Sequence, residues 1–500
     1  NLTTFRCVIL KLCYLCSMDN KALFIGREYE QGLVREYFES PKSEMVAIYG
    51  RRRIGKTYLI KRFFDEQFDF WFTGMYQAPK SVQLHQFQVR LERYSGKRLK
   101  RLKTWFEAFS ALEEYLLSLN KEKVVVFLDE IPWMDTPKSN FLTAYADFWN
   151  MWSSSQTQLK LFVCGSATTW MLDNVIGNKG GLYGRVCRPI YLAPFTLNET
   201  EQFIRDVKGI EMGRAQILET YMILGGVPYY LDMLERGIPL DNCIDNLFFR
   251  QGAPLREEYD FLYRSLFKNA VLYRRIIEAL SNKLKGLSRQ EILEALNVDD
   301  GGTISKAIED LCKCDFVRSY SAFGKEGKDT MYQLCDQYSL FYLRFVKSND
   351  GQDEHTWSNM RGSGERKSWS GYAFEQTCLH HIRQIKNAMG ISGVLSNVCS
   401  WQSKPFVDKD GTKWKGGQID LIIDRADNVA SLCEMKYYSD EFVIDGDYDQ
   451  KLRERASLFK KVTGTKKALN HVFITTYGVK RNSYSNIAQA NLTMEDLFSR

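Results

Sequence analysis

Residues 48–64 read IYGRRRIGKTYLIKRFF and contain the pattern GxxxxGK[ST], with Gly50, Gly55, Lys56 and Thr57 at its fixed positions. An apolar run precedes the pattern and a helix-like run follows it, which is the strand–loop–helix context that the pattern requires. Glycines let backbone N–H groups curve around phosphates, the lysine reaches the outer phosphates, and the threonine hydroxyl holds Mg²⁺. The stretch therefore predicts a site for ATP and Mg²⁺.

Two later apolar runs end in polar residues suited to the same site. KVVVFLDEI ends in Asp129 and Glu130, where Asp129 would support Mg²⁺ through water and Glu130 would orient the attacking water. A solvated strand end is the alternative for this acidic pair. LKLFVCGSA ends at Ser166, which is either a contact of the γ-phosphate or lytic water or an ordinary turn serine. In GLYGRV, Arg185 is either an arginine finger, in cis or from a neighbouring subunit, or a surface arginine.

Residues 24–230 alternate five short apolar runs with helical patterns, which is typical of an α/β domain with a parallel sheet. FIGREYE, the phosphate loop, FLDEIPWM, CGSA, LYGR and LGGVPYYL together resemble the archaeal and bacterial P-loop ATPase family related to the AAA+ and STAND ATPases. The resemblance covers about residues 22–235 and continues to the C-terminus. It implies that Ile25, Gly26 and Arg27 flank the adenine, and that Gly225–Pro228 form the turn of a small helical lid.

No sensor arginine stands beside that turn, which departs from the family pattern and leaves lid-driven hydrolysis an open expectation. The residues expected to bind the nucleotide are Ile25, Gly26, Arg27, Gly50, Arg53, Ile54, Gly55, Lys56, Thr57, Tyr58, Ser166 and Pro228. Thr57 and Asp129 are the expected metal ligands, and Lys56, Glu130 and Arg185 the expected catalytic residues.

The middle of the chain has the layout of a winged helix. Ser288 is an expected helix cap, a Gly-Gly turn follows, residues 303–313 form a second helix, and two strands flank a Gly/Lys loop. In a DNA reader, Ser305, Lys306 and Glu309 would face the groove, with Lys325 and Lys328 on phosphates. A protein–protein spacer is the alternative, because the second helix also carries acidic residues.

The C-terminal part offers the residues of a PD-(D/E)xK nuclease. Asp420 lies in GGQIDLIID, and Glu434 and Lys436 lie in LCEMK, where strand alternation places them on one face. The two carboxylates would hold Mg²⁺ and the lysine would steady the nucleophilic water. Glu375, on an upstream helix, is a further expected metal ligand, and Gln450 is expected to line the site. The pattern resembles the nuclease-like domain that accompanies this ATPase family, although Ile419 stands where the family has proline.

The length of 500 residues indicates about three domains. The predicted division is an extension at 1–21, a P-loop ATPase domain of AAA+-like α/β fold at 22–200, a helical lid at 201–270, a winged helix at 271–346, a linker at 347–370 and a restriction-endonuclease-like α/β domain at 371–500. No stretch approaches the roughly 20 apolar residues that span a bilayer. The 12 cysteines lack the spacing of zinc sites and indicate reduced thiols in a cytoplasmic protein.

Together these features predict an ATP-binding and ATP-hydrolysing protein that couples its nucleotide state to DNA binding or Mg²⁺-dependent DNA cleavage. The alternative is a STAND-like nucleotide-gated switch or scaffold with an inactive nuclease fold. DNA and a second copy of the chain are the expected partners, without a membrane. The net charge of +7 permits DNA binding but does not by itself indicate it.

Overall fold

The computed structural model describes residues 25–177, 188–325, 330–349, 351 and 353–500. The expected extension at 1–21, as well as Arg185 and Lys328, lies outside the described residues. None of the helices in the described part combines the length and the apolar character that crossing a bilayer requires. The eight cysteines found there are all free thiols.

A five-stranded parallel sheet forms the centre of the N-terminal part. Its strands are β1 (Glu44–Tyr49), β2 (Phe70–Thr73), β3 (Val124–Asp129), β4 (Leu159–Gly165) and β5 (Arg188–Tyr191). The helices of this part are α1 (Glu28–Glu39), α2 (Lys56–Phe63), α3 (Lys80–Ser95), α4 (Trp105–Leu117), α5 (Ile131–Met134), α6 (Phe141–Asp147) and α7 (Thr168–Met171). The strand order is β2-β3-β4-β1-β5, and every neighbouring pair is parallel, which confirms the predicted α/β domain.

Helices cover both faces of this sheet, so its strands are apolar along most of their length. One face packs against an aromatic cluster that includes Phe87 and Trp105, and the other packs against α1 and α2. In a parallel sheet all strands end at the same edge. The phosphate loop after β1, the acidic pair at the end of β3 and Ser166 after β4 are therefore brought together.

Helices and a small antiparallel sheet follow. The helices before the sheet are α8 (Leu197–Gln202), α9 (Arg214–Leu224), α10 (Pro228–Leu231), α11 (Leu240–Phe248), α12 (Pro254–Leu266) and α13 (Ala270–Ser281). The sheet region comprises β6 (Leu287–Ser288), α14 (Arg289–Leu296), α15 (Gly302–Lys313), β7 (Val317–Tyr320) and β8 (Met331–Leu334), with strand order β6-β8-β7. Ser288 caps α14 as predicted, because its side chain accepts a hydrogen bond from the backbone N–H of Glu291.

A second five-stranded sheet organises the C-terminal part. Its strands are β9 (Ser396–Ser403), β12 (Gly417–Arg425), β13 (Val429–Lys436), β14 (Ala468–Thr475) and β15 (Ala488–Leu492), with the short strands β10 (Phe406–Val407) and β11 (Lys413–Trp414) paired beside it. The helices are α16 (Gln337–Phe341), α17 (Thr356–Asn359), α18 (Gly364–His380), α19 (Ile382–Ala388), α20 (Gly446–Thr463) and α21 (Met494–Leu497). The order β15-β14-β13-β12-β9 mixes parallel and antiparallel pairs.

The segment 347–370 differs from the linker that the sequence predicts. One continuous apolar core runs from Phe195 to Phe498, and it includes Trp357 and Trp369 from within that segment. Trp357 is fully buried, and its backbone N–H donates to a carboxylate oxygen of Asp245 at 2.8 Å. The polar composition of the segment did not indicate that these two tryptophans are buried. Their burial connects the helical middle of the chain with the C-terminal sheet.

Candidate nucleotide site and C-terminal carboxylates

The phosphate loop is built from backbone that only glycine adopts easily. Gly50 and Gly55 have φ angles of 141° and 88°, and α2 begins directly after Gly55. A Cβ atom at Gly50 would lie 2.3 Å from the carbonyl oxygen of Leu192, so no larger residue fits there without moving that backbone. The N-terminus of α2 consequently opens toward the loop, as anion binding requires.

Lys56 is buried at the start of α2. Its ammonium donates to the carbonyl oxygens of Gly50 and Arg51 at 3.0 and 2.8 Å. Burial lowers the pKa of Lys56, and the nearby carboxylate of Glu130 opposes this effect. The two carbonyls hold the positive charge inside the phosphate loop, where phosphate oxygens can replace them.

The residues present fit a magnesium ion beside Lys56. Thr57 Oγ1 lies 3.0 and 3.1 Å from the two carboxylate oxygens of Asp129, at the end of β3. Cys164 on β4 donates to the same carboxylate at 2.5 Å, a contact that the sequence did not indicate. Burial raises the pKa of Asp129, while these hydrogen bonds lower it. A hydroxyl and a carboxylate side by side suit Mg²⁺, which prefers oxygen ligands and retains several waters.

Ser166 contacts Glu130. Its backbone N–H and its hydroxyl both donate to Glu130 Oε2 at 2.9 Å. Glu130 has φ 48°, in the left-handed region, and burial raises the pKa of its carboxyl. Ser166 therefore positions the carboxylate of Glu130 and also lines the nucleotide cavity, while its contact with the γ-phosphate or the lytic water stays a prediction. A carboxylate held in this way can orient a water molecule for attack on phosphorus.

A cavity of about 460 Å³ adjoins the phosphate loop. Ten of the residues predicted to bind nucleotide line it: Ile25, Arg27, Arg53, Ile54, Gly55, Lys56, Thr57, Tyr58, Ser166 and Pro228. Apolar side chains that the sequence analysis did not single out complete the wall: Phe195, Phe203, Val207 and Tyr229. A large apolar wall beside a phosphate loop fits an aromatic base.

The backbone before α1 is fixed against α8. Arg27 has φ 58°, its N–H donates to Glu199 Oε1 at 2.8 Å, and its guanidinium lies 4.7 Å from the centre of the Phe195 ring. A Cβ atom at Gly26 would lie 2.7 Å from the same Glu199 oxygen. Gly26 and Arg27 thus shape the far end of the cavity through their backbone contacts with Glu199.

Two arginines of the phosphate loop form ion pairs with acidic residues from later parts of the chain. Arg51 Nη1 lies 2.5 Å from Asp336 Oδ1, with both side chains 2% exposed, and Arg53 Nη2 lies 2.9 Å from Glu258 Oε2. The guanidinium of Arg53 also lies 3.9 Å from the centre of the Tyr229 ring. Neither Asp336 nor Glu258 adjoins a recognisable motif, so the sequence did not indicate that they pair with the phosphate loop.

The C-terminal carboxylates face each other across neighbouring strands. Asp420 and Glu434 stand one residue beyond the antiparallel pair Leu421–Cys433. Burial raises the pKa of Glu375, on α18, to about 7, and the negative charges of Asp420 and Glu434 add to this effect. The structure therefore brings these three predicted residues into one electrostatic neighbourhood.

They do not form a metal-binding group in this structure. No set of three metal-ligating side chains occurs in the part of the chain that the structure describes. Arg455 Nη2 lies 2.8 Å from Glu434 Oε1, the hydroxyl of Tyr448 donates to Glu434 Oε2 at 2.8 Å, and Lys436 Nζ lies 3.9 Å from Oε2. Both oxygens of Glu434 are thus engaged by α20, so the donor set does not fit a cation here.

Two further predicted residues have other surroundings. Asp420 is exposed and accepts a hydrogen bond from Gln418, while Gln450 is exposed and donates to Glu454 at 2.8 Å. Gln450 consequently does not contact Glu434. The sequence placed Gln450 in the site because it lies on the helix after the core strands, but its side chain points along α20.

The helix that would read DNA packs against the N-terminal part. Lys306 on α15 pairs with Asp173 Oδ2 at 2.7 Å and with Asp310 at 3.2 Å. Ser305 and Glu309 are exposed, and Glu309 pairs with Lys313 at 2.6 Å. In this structure Lys306 therefore contacts the segment after β4, with 45% of its side chain exposed, and its role in reading DNA stays a prediction.

Comparisons with known proteins agree with this site. Residues 24–234 match the family described as "ATPase domain predominantly from Archaea". An uncharacterized protein of Methanocaldococcus jannaschii is 24% identical over 420 residues, covering 83% of this chain and 88% of the relative. An uncharacterized ATP-binding protein of the same organism is 36% identical over 45 residues, covering 9% of this chain and 76% of the relative.

Solved structures give more distant similarities. The Walker-type ATPase of Pyrococcus abyssi is 18% identical, with a TM-score of 0.45 over 64% of this chain and 96% of the other. The ORC2 protein of Aeropyrum pernix is 14% identical, with a TM-score of 0.40 over 65% of this chain and 95% of the other. The family match over residues 24–234 and the geometry of the phosphate loop together support a P-loop ATPase domain in this part of the chain.

Proposed function

We propose that the protein binds and hydrolyses ATP and couples its nucleotide state to DNA binding by the C-terminal half. One observation carries this proposal: the loop that cradles the phosphates is itself paired with that half. Arg51 contacts Asp336, just before α16, and Arg53 contacts Glu258 on α12. A movement of the loop on nucleotide binding or release would therefore change two ion pairs that hold the parts of the chain together.

The residues of the site have distinct roles in this scheme. Lys56 neutralises the outer phosphates, and Thr57 and Asp129 would hold Mg²⁺, which supplies charge neutralisation at the phosphates. Glu130, held by Ser166, orients the attacking water. Phe203, Val207 and Tyr229 line the cavity from the lid region, where they would contact the base, and we expect the lid to close over a bound nucleotide.

The order α13-β6-α14-α15-β7-β8, with its antiparallel sheet, supports a winged helix as the DNA-binding element. Lys306 pairs with Asp173 in the ATPase domain, so DNA binding through α15 requires that this contact opens. Nucleotide-dependent rearrangement of the phosphate loop and its two ion pairs is the proposed cause. The ATPase domain would thereby expose or cover the DNA-reading helix.

Glu258→Gln is expected to weaken the coupling because it removes the charge that pairs with Arg53. Allosteric couplings are typically about 5- to 150-fold in affinity. The measurement is the affinity for duplex DNA in ADP and in a non-hydrolysable ATP analogue, and the ratio of the two should move toward one in the variant. Glu257→Gln is the matched control, since Glu257 is the exposed neighbour on the same helix. Equal ratios in wild type and Glu258→Gln would contradict the coupling role.

The second candidate is a nucleotide-gated switch whose nuclease-like part does not cleave DNA. The contacts of Arg455 and Tyr448 with both oxygens of Glu434 favour it, because a carboxylate so engaged is not free to bind a cation. In this version the C-terminal sheet serves for packing or for docking on DNA.

We therefore expect linear, supercoiled and single-stranded DNA to remain intact when incubated with the protein, Mg²⁺ or Mn²⁺, and ATP. Glu434→Ala should behave as the wild type does, and Glu441→Ala provides an exposed control in the loop after β13. Cleavage by the wild type and the control that disappears in Glu434→Ala would instead establish a working nuclease.

A further inference from the structure

The segment KRLKRLK, residues 97–103, joins α3 to α4 on the ATPase domain and lies outside the nucleotide site. Five of its seven residues are basic: Lys97, Arg98, Lys100, Arg101 and Lys103. All five side chains are exposed, and none forms an ion pair with any residue that the structure describes. Five such cations within seven residues give this segment a high local concentration of positive charge.

The backbone of the segment is held in place. The N–H of Leu99 donates to Glu92 Oε1 at 2.9 Å, and the N–H of Leu102 donates to Gln88 Oε1 at 3.0 Å. Gln88 also donates to the carbonyl oxygen of Leu99 at 3.3 Å. Leu99 and Leu102 pack against the aromatic core of the domain. Leu99 and Leu102, three positions apart, face the core. The five basic side chains on either side of them and between them therefore point to solvent from a backbone that is held in place.

A groove of about 790 Å³ lies between this segment and the first turns of α3. Its polar lining consists of Lys80, Ser81, His85, Gln88, Arg101 and Lys103, without a carboxylate. The N-terminal end of α3, at Lys80, adds the partial positive charge of the helix dipole. The groove is therefore a positively charged concave surface that adjoins the exposed basic side chains of residues 97–103.

The chemistry of this surface favours phosphates over an acidic protein. Protein interfaces rely on buried aromatic or aliphatic anchors and are depleted in lysine, whereas both leucines of this segment face the core. No aromatic residue occurs in 97–103, which disfavours stacking on single-stranded bases. Seven extended residues span at most about 23 Å, a length along which duplex DNA presents many phosphates, about one charge per 1.7 Å.

We infer that residues 97–103 and the adjoining groove bind the phosphate backbone of duplex DNA, as a surface of the ATPase domain separate from α15 and from the C-terminal sheet. The inference rests on the proposed DNA binding and specifies a second place where it occurs. A duplex held here contacts the ATPase domain directly, so DNA occupancy is linked to this domain even while Lys306 remains paired with Asp173.

The test is a salt titration of duplex DNA affinity for the triple variant Lys100→Ala, Arg101→Ala, Lys103→Ala. Each phosphate contact contributes about −0.9 to the slope of log affinity against log salt, so the slope should become shallower by about 2.7. If the two affinities converge at about 1 M salt, this slope change corresponds to a loss of affinity of about 500-fold at about 0.1 M. The matched control removes three scattered exposed cations of the lid region: Arg236→Ala, Arg250→Ala and Lys268→Ala.

The outcomes separate this inference from the proposed function. A shallower slope in the loop variant alone supports the inference, provided that thermal melting shows both variants folded as the wild type. An equal change in both variants, or none in the loop variant, overturns it while DNA binding by the protein stands. Absence of duplex binding by the wild type overturns both. Poly-L-glutamate serves as a competitor at the same concentration of negative charge as the DNA. If it displaces DNA from the wild type, the inference is overturned in favour of an acidic protein partner.

Discussion

Lys56→Ala is expected to weaken ATP binding by about 100-fold or more and to leave no measurable hydrolysis. Hydrogen bonds to charged groups contribute about 1.5–3 kcal/mol each, and the loss of two such contacts with the outer phosphates amounts to about 3 kcal/mol or more. In this structure the ammonium is already placed inside the loop by Gly50 and Arg51. No other lysine lines the described part of the cavity, and Arg27 and Arg53, which also line it, contact Phe195 and Glu258 respectively.

The measurement is the equilibrium dissociation constant for ATP, with hydrolysis followed by phosphate release. Lys61→Ala is the matched control, because Lys61 lies on the same helix but pairs with Glu66 at 3.5 Å and stacks on Trp71 outside the cavity. Wild-type affinity in Lys56→Ala would remove the basis for the nucleotide site. Equal losses in both variants would point to damage to α2 and would leave the role of Lys56 unsupported.

The features that the sequence predicted well are those determined by local pattern. The five strands of the first sheet follow from apolar runs, and the phosphate loop follows from Gly50 and Gly55, whose φ angles no other residue adopts without strain. The cap at Ser288 follows from its spacing to Glu291. Because parallel strands end at one edge, the convergence of Lys56, Asp129 and Ser166 also follows from the sequence.

The features that the sequence did not reveal depend on contacts between distant residues. Arg51 and Asp336 are 285 positions apart, and the residues around either one do not indicate that the two form an ion pair. Trp357 lies in a stretch whose glycines, serines and charges indicate a loop, yet its indole ring is fully buried. Arg455 lies on a charged helix where any of several side chains could have reached Glu434. Tertiary packing, which local propensity does not encode, decides each of these contacts.

These distant contacts are also the ones that relate the ATPase domain to the rest of the chain. The phosphate loop contacts α12 and the start of α16, and the segment after β4 contacts α15. The carboxyl edge of the parallel sheet, where the nucleotide binds, thus adjoins three elements of the C-terminal half. The proposed coupling between nucleotide state and the C-terminal half rests on these contacts.

Asp336→Ala is expected to destabilise the protein by about 3–5 kcal/mol, because breaking a buried ion pair leaves an uncompensated charge. Asp336 is the carboxylate that pairs with Arg51, whose Nε and Nη2 find no hydrogen-bond partner among the described residues. The guanidinium also lies 4.8 Å from the centre of the Phe316 ring, and the carboxyl of Asp315 is near enough for Arg51 to lower its pKa but forms no ion pair with Arg51 among the described residues. Asp336 caps α16 as well, by accepting from the backbone N–H of Ser339 at 2.9 Å.

The double variant Arg51→Leu, Asp336→Ala separates the charge from the cap. Without the buried guanidinium, only the loss of the cap and of packing remains, so the double variant should be more stable than Asp336→Ala alone. Urea unfolding curves of the wild type and of the three variants provide the free energies, and the interaction term of the cycle should exceed about 2 kcal/mol. Additive free-energy changes would mean that Arg51 and Asp336 do not depend on each other. The phosphate loop would then lack its buried connection to the C-terminal half, and the transmission of nucleotide state would depend on Arg53 and Glu258 alone.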